Sequence, residues 1–257
     1  MSGKQRGAGP RPDPLFSIVT VVRNGAETLE RTIHSVAAQD FGGHEYIVLD
    51  GASTDGTREI IERNAGRISL WRSEPDRGVY DAMNKALPLC KGAYILFLNC
   101  GDYLSEPDIL SRMAKEVAAT DADIVYGNVY ENWKAEERID RPNFREKGDL
   151  LYRTICHQAM FASRHAYEVV GGFDMRYAIC ADREWLLRAV FEHGLALHHA
   201  EVPVCVFDNQ SGLSSAPRFR NLKRRENWLL NARYFPLRSV GLFLRRAAGK
   251  LSLVASY

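Results

Sequence analysis

The hydrophobic pattern begins at Leu15, where Leu15-Phe16-Ser17-Ile18-Val19-Thr20-Val21-Val22 is a short, β-branched run that is apolar on both faces. That is the pattern of a strand covered on both sides, as in a parallel sheet. Asn24-Gly25 breaks the run, and Leu29, Ile33, Val36 and Ala37 then recur on one face of a helix. Tyr46-Ile47-Val48-Leu49 predicts a second buried strand that ends at Asp50-Gly51. A helix with Ile60 and Ile61 follows, then a short strand at Ile68-Ser69-Leu70-Trp71 and a helix from Val79 to Leu89. Ala93-Tyr94-Ile95-Leu96-Phe97-Leu98 is the most hydrophobic strand in the chain. A helix with Ile109, Leu110, Met113 and Val117 leads to a strand at Ile124-Val125-Tyr126.

Past Gly127 the rhythm changes. Residues 131–155 are polar with weak periodicity and read as a loop region. Ala159-Met160-Phe161-Ala162 predicts a strand, Arg183 to His193 a helix, and Ala196 to Phe207 one or two strands. No Pro/Gly/Ser-rich linker separates the halves, so residues 15–215 are expected to form one domain. Alternating strands and helices imply βαβ units and a mostly parallel sheet flanked by helices, an α/β fold. Ligands of such sheets bind outside the carboxyl ends of the strands.

Those ends are polar. Arg23 and Asn24 follow the first strand, Asp50-Gly51-Ala52-Ser53-Thr54-Asp55-Gly56-Thr57 the second, and Asn99-Cys100-Gly101-Asp102 the most hydrophobic one. A single carboxylate after a strand is commonly a helix cap, and Asp55, just before the helix opened by Thr57, suits that role. Three polar termini on one sheet edge exceed what capping needs. Asp50 and Asp102 would converge on one crevice and could hold a ribose or base edge and a divalent metal. Neither G-x-G-x-x-G nor G-x-x-x-x-G-K-[ST] occurs, which removes the main support for Rossmann dinucleotide or P-loop phosphate binding.

These residues resemble a known family. Residues 50–57 are similar to the D-G-x-S-x-D-x-T signature of family 2 glycosyltransferases, whose fold is of the GT-A type. Glu74-Pro75-Asp76-Arg77-Gly78-Val79-Tyr80-Asp81-Ala82-Met83-Asn84-Lys85 resembles the D-x-G-x-Y-D-A-M-N-K block of a bacterial polysaccharide and glycolipid subgroup. Leu98-Asn99-Cys100-Gly101-Asp102 stands where that family has its D-x-D-type metal motif. Gly171-Gly172-Phe173-Asp174 with Ala181-Asp182-Arg183-Glu184-Trp185 resembles its acceptor-side segment. The four blocks occur in order and span about residues 15–210.

The resemblance implies an inverting transferase that moves one sugar from a nucleotide-sugar donor to a glycan or lipid-linked acceptor. Thr20, Val22, Asn24, Asp50, Asp76, Tyr80, Asp81 and Asn84 would serve the donor, with Asp50 facing the base. Asp102 would ligate Mg²⁺ or Mn²⁺ beside the diphosphate, Asp182 would be the catalytic base, and His157-Gln158 would touch donor or acceptor. The first acidic position of the metal motif is filled by Asn99 or Cys100, which leaves Asp102 as its one carboxylate. Mg²⁺ often makes do with one carboxylate plus water and substrate phosphate. Two other readings stand beside the transferase: an inactive nucleotide-sugar-binding protein, and a sugar nucleotidyltransferase, which would need an N-terminal Gly-rich basic loop that is missing. The Q-x-x-R-W block of processive synthases has no match, which favours transfer of a single sugar.

Composition adds one thing. Of 257 residues, 46% are hydrophobic and 26% charged, an ordinary globular balance that excludes disorder, collagen and a disulfide-rich mini-protein. The five cysteines are scattered without a C-x-x-C pair, as in reduced cytoplasmic proteins, and offer no zinc site. The net charge of +2 hides an asymmetry. Residues 216–257 hold ten basic side chains and one acid, Glu226, for +9, so the body carries −7. That is not the profile of a nucleic-acid binder. Residues 217–252 predict two helices broken at Pro236, the second with Val240, Phe243, Leu244, Ala247, Ala248 and Leu251 beside arginines. Such a basic amphipathic tail suits an anionic membrane surface, at the inner face of the cell membrane; the alternatives are a helix packed on the catalytic domain with solvated arginines, or a dimer contact. Residues 1–14, basic and Pro/Gly-rich without an apolar core, read as a disordered leader.

Overall fold

The computed structural model describes residues 13–133, 136–142, 144, 146–207 and 217–236. The expected leader, except Asp13 and Pro14, the segment before residue 217, and the second expected tail helix lie outside the described residues.

Nine strands form one sheet: β1 (Phe16–Val22), β2 (His44–Asp50), β3 (Leu70–Ser73), β4 (Tyr94–Phe97), β5 (Tyr103–Leu104), β6 (Ile124–Trp133), β7 (Glu136–Asp140), β8 (Met160–Ser163) and β9 (Leu197–Phe207). Their order is β3-β2-β1-β4-β8-β6-β9-β5, with β7 hairpinned onto β6. The first four are parallel, as the βαβ rhythm predicted. β8 then enters antiparallel between β4 and β6, and the rest of the sheet is mixed. The helices are α1 (Leu29–Ala37), α2 (Thr57–Arg63), α3 (Val79–Ala86), α4 (Ile109–Ala118), α5 (Arg164–Val170), α6 (Ala181–Phe191) and α7 (Arg220–Tyr234).

The run of apolar residues on both faces of β1 is explained by two cores. Ile18, with Tyr46 and Val48 of β2, packs with Leu29, Ile33, Ile61 and Met113 of α1, α2 and α4. Val19 and Val21, with Ile47 and Leu49, pack with Met83 of α3 and Trp185 and Leu186 of α6. Every residue of β1 is buried, so there is no polar alternation to read. α3 stops at Ala86, earlier than the periodicity suggests, because Pro88 turns the chain into a 3₁₀ segment. The elements depart from the sequence expectation at β5, at β7 with the end of β6, and at α5. The stretch taken as loop from residue 131 starts with the end of β6 and with β7, and α5 was not foreseen. α5 is seven residues long, capped by Ser163, whose hydroxyl accepts from the Ala166 N–H. At just under two turns it is too short for its apolar positions, Ala166, Tyr167 and Val170, to build a recurring stripe.

Candidate active site

The parallel strands β1, β2 and β4 deliver their polar ends to one side of the sheet. There the loops after β1 and β2 hold each other. Asn24, at a positive φ of 53°, accepts from the Thr54 N–H at 2.9 Å and donates its own N–H to Ser53 Oγ at 2.7 Å. Asp55 accepts from the N–H groups of Ala26 and Thr57, both at 3.1 Å. The N-cap of α2 is Gly56, without a side-chain cap, so Asp55, one residue before it, ties the start of the helix to the neighbouring loop instead of capping it. Its carboxyl lies below the usual range, chiefly through the Thr57 hydroxyl. Between these loops and α6 opens a cavity of about 1200 Å³.

Val22, Asn24, Asp76, Tyr80, Asp102, His157, Gln158 and Asp182 all line it. Thr20, Asp50, Asp81 and Asn84 support the wall from behind. Thr20 is fully buried and donates to the Leu98 carbonyl at 2.7 Å, within the sheet. Asp50 is 1% exposed, and its carboxylate accepts the Ser53 hydroxyl and, at 2.6 Å, the Ser73 hydroxyl. Asp81 pairs with Arg77 and Lys85. Asn84 Oδ1 accepts from the Phe173 N–H at 2.7 Å and its Nδ2 donates to the Phe173 carbonyl at 2.9 Å, which clips the Gly171-Gly172-Phe173 turn to α3. A Cβ on Gly51 would lie 2.1 Å from Asp76 Oδ2, so any larger residue would push the Asp76 carboxylate aside.

Asp182 sits in the first turn of α6, where the helix N-terminus favours a negative charge. One oxygen accepts the Tyr80 hydroxyl at 3.0 Å and the other faces His157 Nδ1 at 3.1 Å. Burial alone would raise this carboxyl. The His157 bond, the Arg183 N–H and the Tyr80 hydroxyl outweigh burial and hold it below the usual range. Tyr80 is pushed well above its ordinary value by burial and by the Asp182 charge, so it stays a donor. A carboxylate only accepts, so His157 carries its proton on Nδ1. Its Nε2 then accepts from Asn99 Nδ2 at 3.0 Å.

Across the cavity, Asp102 is 4% exposed and accepts from Gln158 Nε2 at 2.9 Å. Gln158 is oriented by the Cys156 thiol, which donates to its carbonyl at 2.8 Å. The loop carrying Asp102 is held by α1. Arg31 donates to the Gly101 carbonyl at 2.7 Å, the Thr32 hydroxyl to the Asp102 carbonyl at 2.8 Å, and the Leu104 N–H to Ser35 Oγ at 3.1 Å. Asn99 Oδ1 is the one buried side-chain oxygen or nitrogen that lacks a hydrogen-bond partner among the described residues. Burial pushes the Cys100 thiol up to about 11, and its sulfur is a soft donor ill-matched to a hard cation. The donor set near Asp102 is therefore a carboxylate and an unpaired amide oxygen, both hard.

Sequence reasoning missed the far wall, formed by Arg183 of α6 and Lys223, Asn227 and Asn231 of α7. α7 is the first half of the basic stretch, and Glu226 and Leu230 bury it against the domain. Glu226, the lone acid among ten cations, was the available signal.

This α/β fold is shared with solved glycosyltransferases. The structure matches Staphylococcus aureus TarS 1–349 in complex with UDP-GlcNAc at a TM-score of 0.69 and 16% identity, over 86% of this chain and 67% of that one. It matches the mannosyltransferase PcManGT from Pyrobaculum calidifontis, in complex with GDP-Man and Mn²⁺, at 0.62 and 19% identity, over 96% and 84%. The fold is thus of the GT-A type. The model of glycosyl transferase family 2 matches residues 17–167. A PGL/p-HBAD biosynthesis glycosyltransferase of Mycobacterium tuberculosis is 33% identical over 79% of this chain and 80% of its own length. Glycosyltransferase AglE of Haloferax volcanii is 28% identical over 68% of this chain and 61% of its own. The chain belongs to glycosyltransferase family 2.

Proposed function

We propose that this enzyme transfers a single sugar, with inversion, from a nucleoside-diphosphate-sugar to a hydroxyl of a glycan or lipid-linked acceptor. The observation that carries the reading is Asp182, a carboxylate on the cavity wall held ionised by Tyr80 and His157. An acceptor hydroxyl beside it gives its proton to the carboxylate as its oxygen bonds to the anomeric carbon. The bond from that carbon to the diphosphate oxygen breaks, and the electron pair leaves with the nucleoside diphosphate. Attack from the face opposite the leaving group inverts the centre. The cavity of about 1200 Å³ exceeds the roughly 300–1000 Å³ usual for one small ligand, so it has room for the donor and the reacting end of an acceptor.

Asp102 and Asn99 Oδ1 suit a hard cation such as Mg²⁺ or Mn²⁺, which when bound would offset the charge that develops on the diphosphate. Gln158 keeps the Asp102 side chain in place for it. Asp76, Asn24 and Val22 face the donor, and Asp50, gripped by Ser53 and Ser73, fixes the loop that meets the base. Among the described residues no helix is long and apolar enough to cross a membrane. Arg224, Arg225, Trp228 and Leu229 of α7 are exposed, a basic and aromatic face suited to the surface of an anionic leaflet and to an acceptor presented there. In that setting the enzyme works at the inner face of the cell membrane.

The test is nucleoside diphosphate release from a panel of UDP-, GDP- and dTDP-sugars, with Mn²⁺ and with EDTA. Release that requires the metal and disappears in Asp182→Asn supports the reading. Binding of a donor without any release from the panel would make this an inactive binding protein.

A further inference from the structure

We infer that Glu226 of α7 is a positioning residue for Asp182, and that α7 is thereby part of the catalytic apparatus. The inference rests on the assignment of Asp182 as the base. The side chain of Glu226 is reached by three successive backbone N–H groups. Ala178 donates to Oε1 at 2.9 Å, and Ile179 and Cys180 donate to Oε2 at 3.0 and 2.9 Å. Glu226 is 4% exposed, so water does not replace these bonds. The N-cap of α6, Cys180, has no side-chain cap of its own. The three N–H groups belong to the segment that leads into α6 and ends at its N-cap Cys180, so a different helix fixes the path by which the chain enters α6.

The turn held this way is the one that sets the base. Its Ile179 carbonyl accepts the Tyr80 hydroxyl at 2.8 Å, and the same hydroxyl lies 3.0 Å from Asp182 Oδ1. α7 also grips the other side of Asp182. The guanidinium of Arg183, the next residue, donates to Asn227 Oδ1 and, at 2.7 Å, to Asn231 Oδ1. Residues 178–180 and 183 are thus both fixed to α7, with Asp182 between them. Removing Glu226 frees the turn, lets Tyr80 lose its second partner, and shifts a carboxylate whose placement against the acceptor oxygen sets the rate. Displacement of a reacting group by about 1 Å lowers rate roughly 100-fold.

Full-length wild type, Glu226→Gln, Glu226→Ala and Asp182→Asn test this with two readouts. Hydrogen exchange by mass spectrometry reads the turn directly and needs no substrate. Protection over residues 174–183 is expected to fall in Glu226→Gln and further in Glu226→Ala, while β1 and β4 keep theirs. Steady-state release from the best donor of the panel, with Mn²⁺, reads the base. Here kcat is expected to drop about 10- to 100-fold with donor KM within about twofold, and the acid limb of the kcat profile to move up as Asp182 loses the contacts that depress it. A glutamine retains one acceptor oxygen, so its effect is the smaller. Unchanged protection, or lost protection with wild-type kcat and an unmoved acid limb, would overturn the inference. Full activity of Asp182→Asn would instead sink the assignment of the base.

Discussion

Asp182→Asn separates basicity from packing, because the surrounding groups can absorb an amide. In the native site Tyr80 faces two acceptors, the Ile179 carbonyl at 2.8 Å and Asp182 at 3.0 Å, with one proton to give. With asparagine, the amide oxygen continues to accept from His157 Nδ1. The amide N–H₂ turns to the Tyr80 oxygen, and the Tyr80 proton goes to Ile179. Every bond has a successor, so the structural loss is that of a charge-assisted bond becoming a neutral one, about 1 kcal/mol. For a chain of this size that lowers Tm by roughly 2–4 °C. The proton acceptor, however, is gone. General base catalysis contributes about 10²- to 10⁴-fold, which corresponds to roughly 3–5 kcal/mol in the barrier. The expected variant melts within a few degrees of wild type and has kcat reduced by about 10³, with donor binding retained. Initial rates of nucleoside diphosphate release, paired with thermal melts and donor titration, measure all three. Retention of more than about a tenth of kcat, or a collapse in Tm, would show that Asp182 does not act as argued.

Four further outcomes follow from the same geometry. Asp182 is held below the usual carboxylate range, so kcat/KM should stay level as pH falls through about 5 and decline only below the ordinary aspartate value; His157→Ala should move that decline upward. Asn99→Asp adds a second carboxylate beside Asp102 and should lower the Mn²⁺ concentration for half-maximal activity by about tenfold, read by metal titration. Gly51→Ala drives a Cβ onto Asp76 and should raise donor KM more than it lowers kcat, with a stability loss of about 1–3 kcal/mol in a denaturant melt. Glu184 is 1% exposed and pairs with Arg188 at 2.9 Å; Glu184→Ala leaves Arg188 with the Val170 and Gly172 carbonyls but no counter-charge and should cost about 1–3 kcal/mol of stability by the same melt.

The first half of the chain was legible because its signals are local. Ile18, Val19, Tyr46 and Ile47 are buried on both faces of a sheet, and each strand ends at a polar cluster. Asp102, Asp182 and His157 were found through their motifs, and the structure brings all three to one cavity. Which motif residues touch the cavity was not legible. Thr20 and Asp50 point along bonds within the sheet and its loops, and that choice depends on Leu98 and Ser73, distant in sequence. The 131–140 hairpin was hidden because its strands are polar. The far wall was hidden for a different reason. Glu226 meets backbone N–H groups forty-odd residues away, and a backbone donor leaves no trace in the identity of Ala178 or Ile179.

α1 has the apolar stripe of an ordinary surface helix, and its opposite flank looks free for redesign. Arg31 and Ser35 on that flank, with the buried Thr32 at the edge of the stripe and Gln39 just past the helix end, bind Gly101, Asp102, Leu104 and the Glu106 carbonyl. This side of α1 acts as a jig that sets the height of the Asp102 carboxylate above the sheet. Filling it with better helix formers would therefore raise helix propensity but leave a slack Asp102 loop.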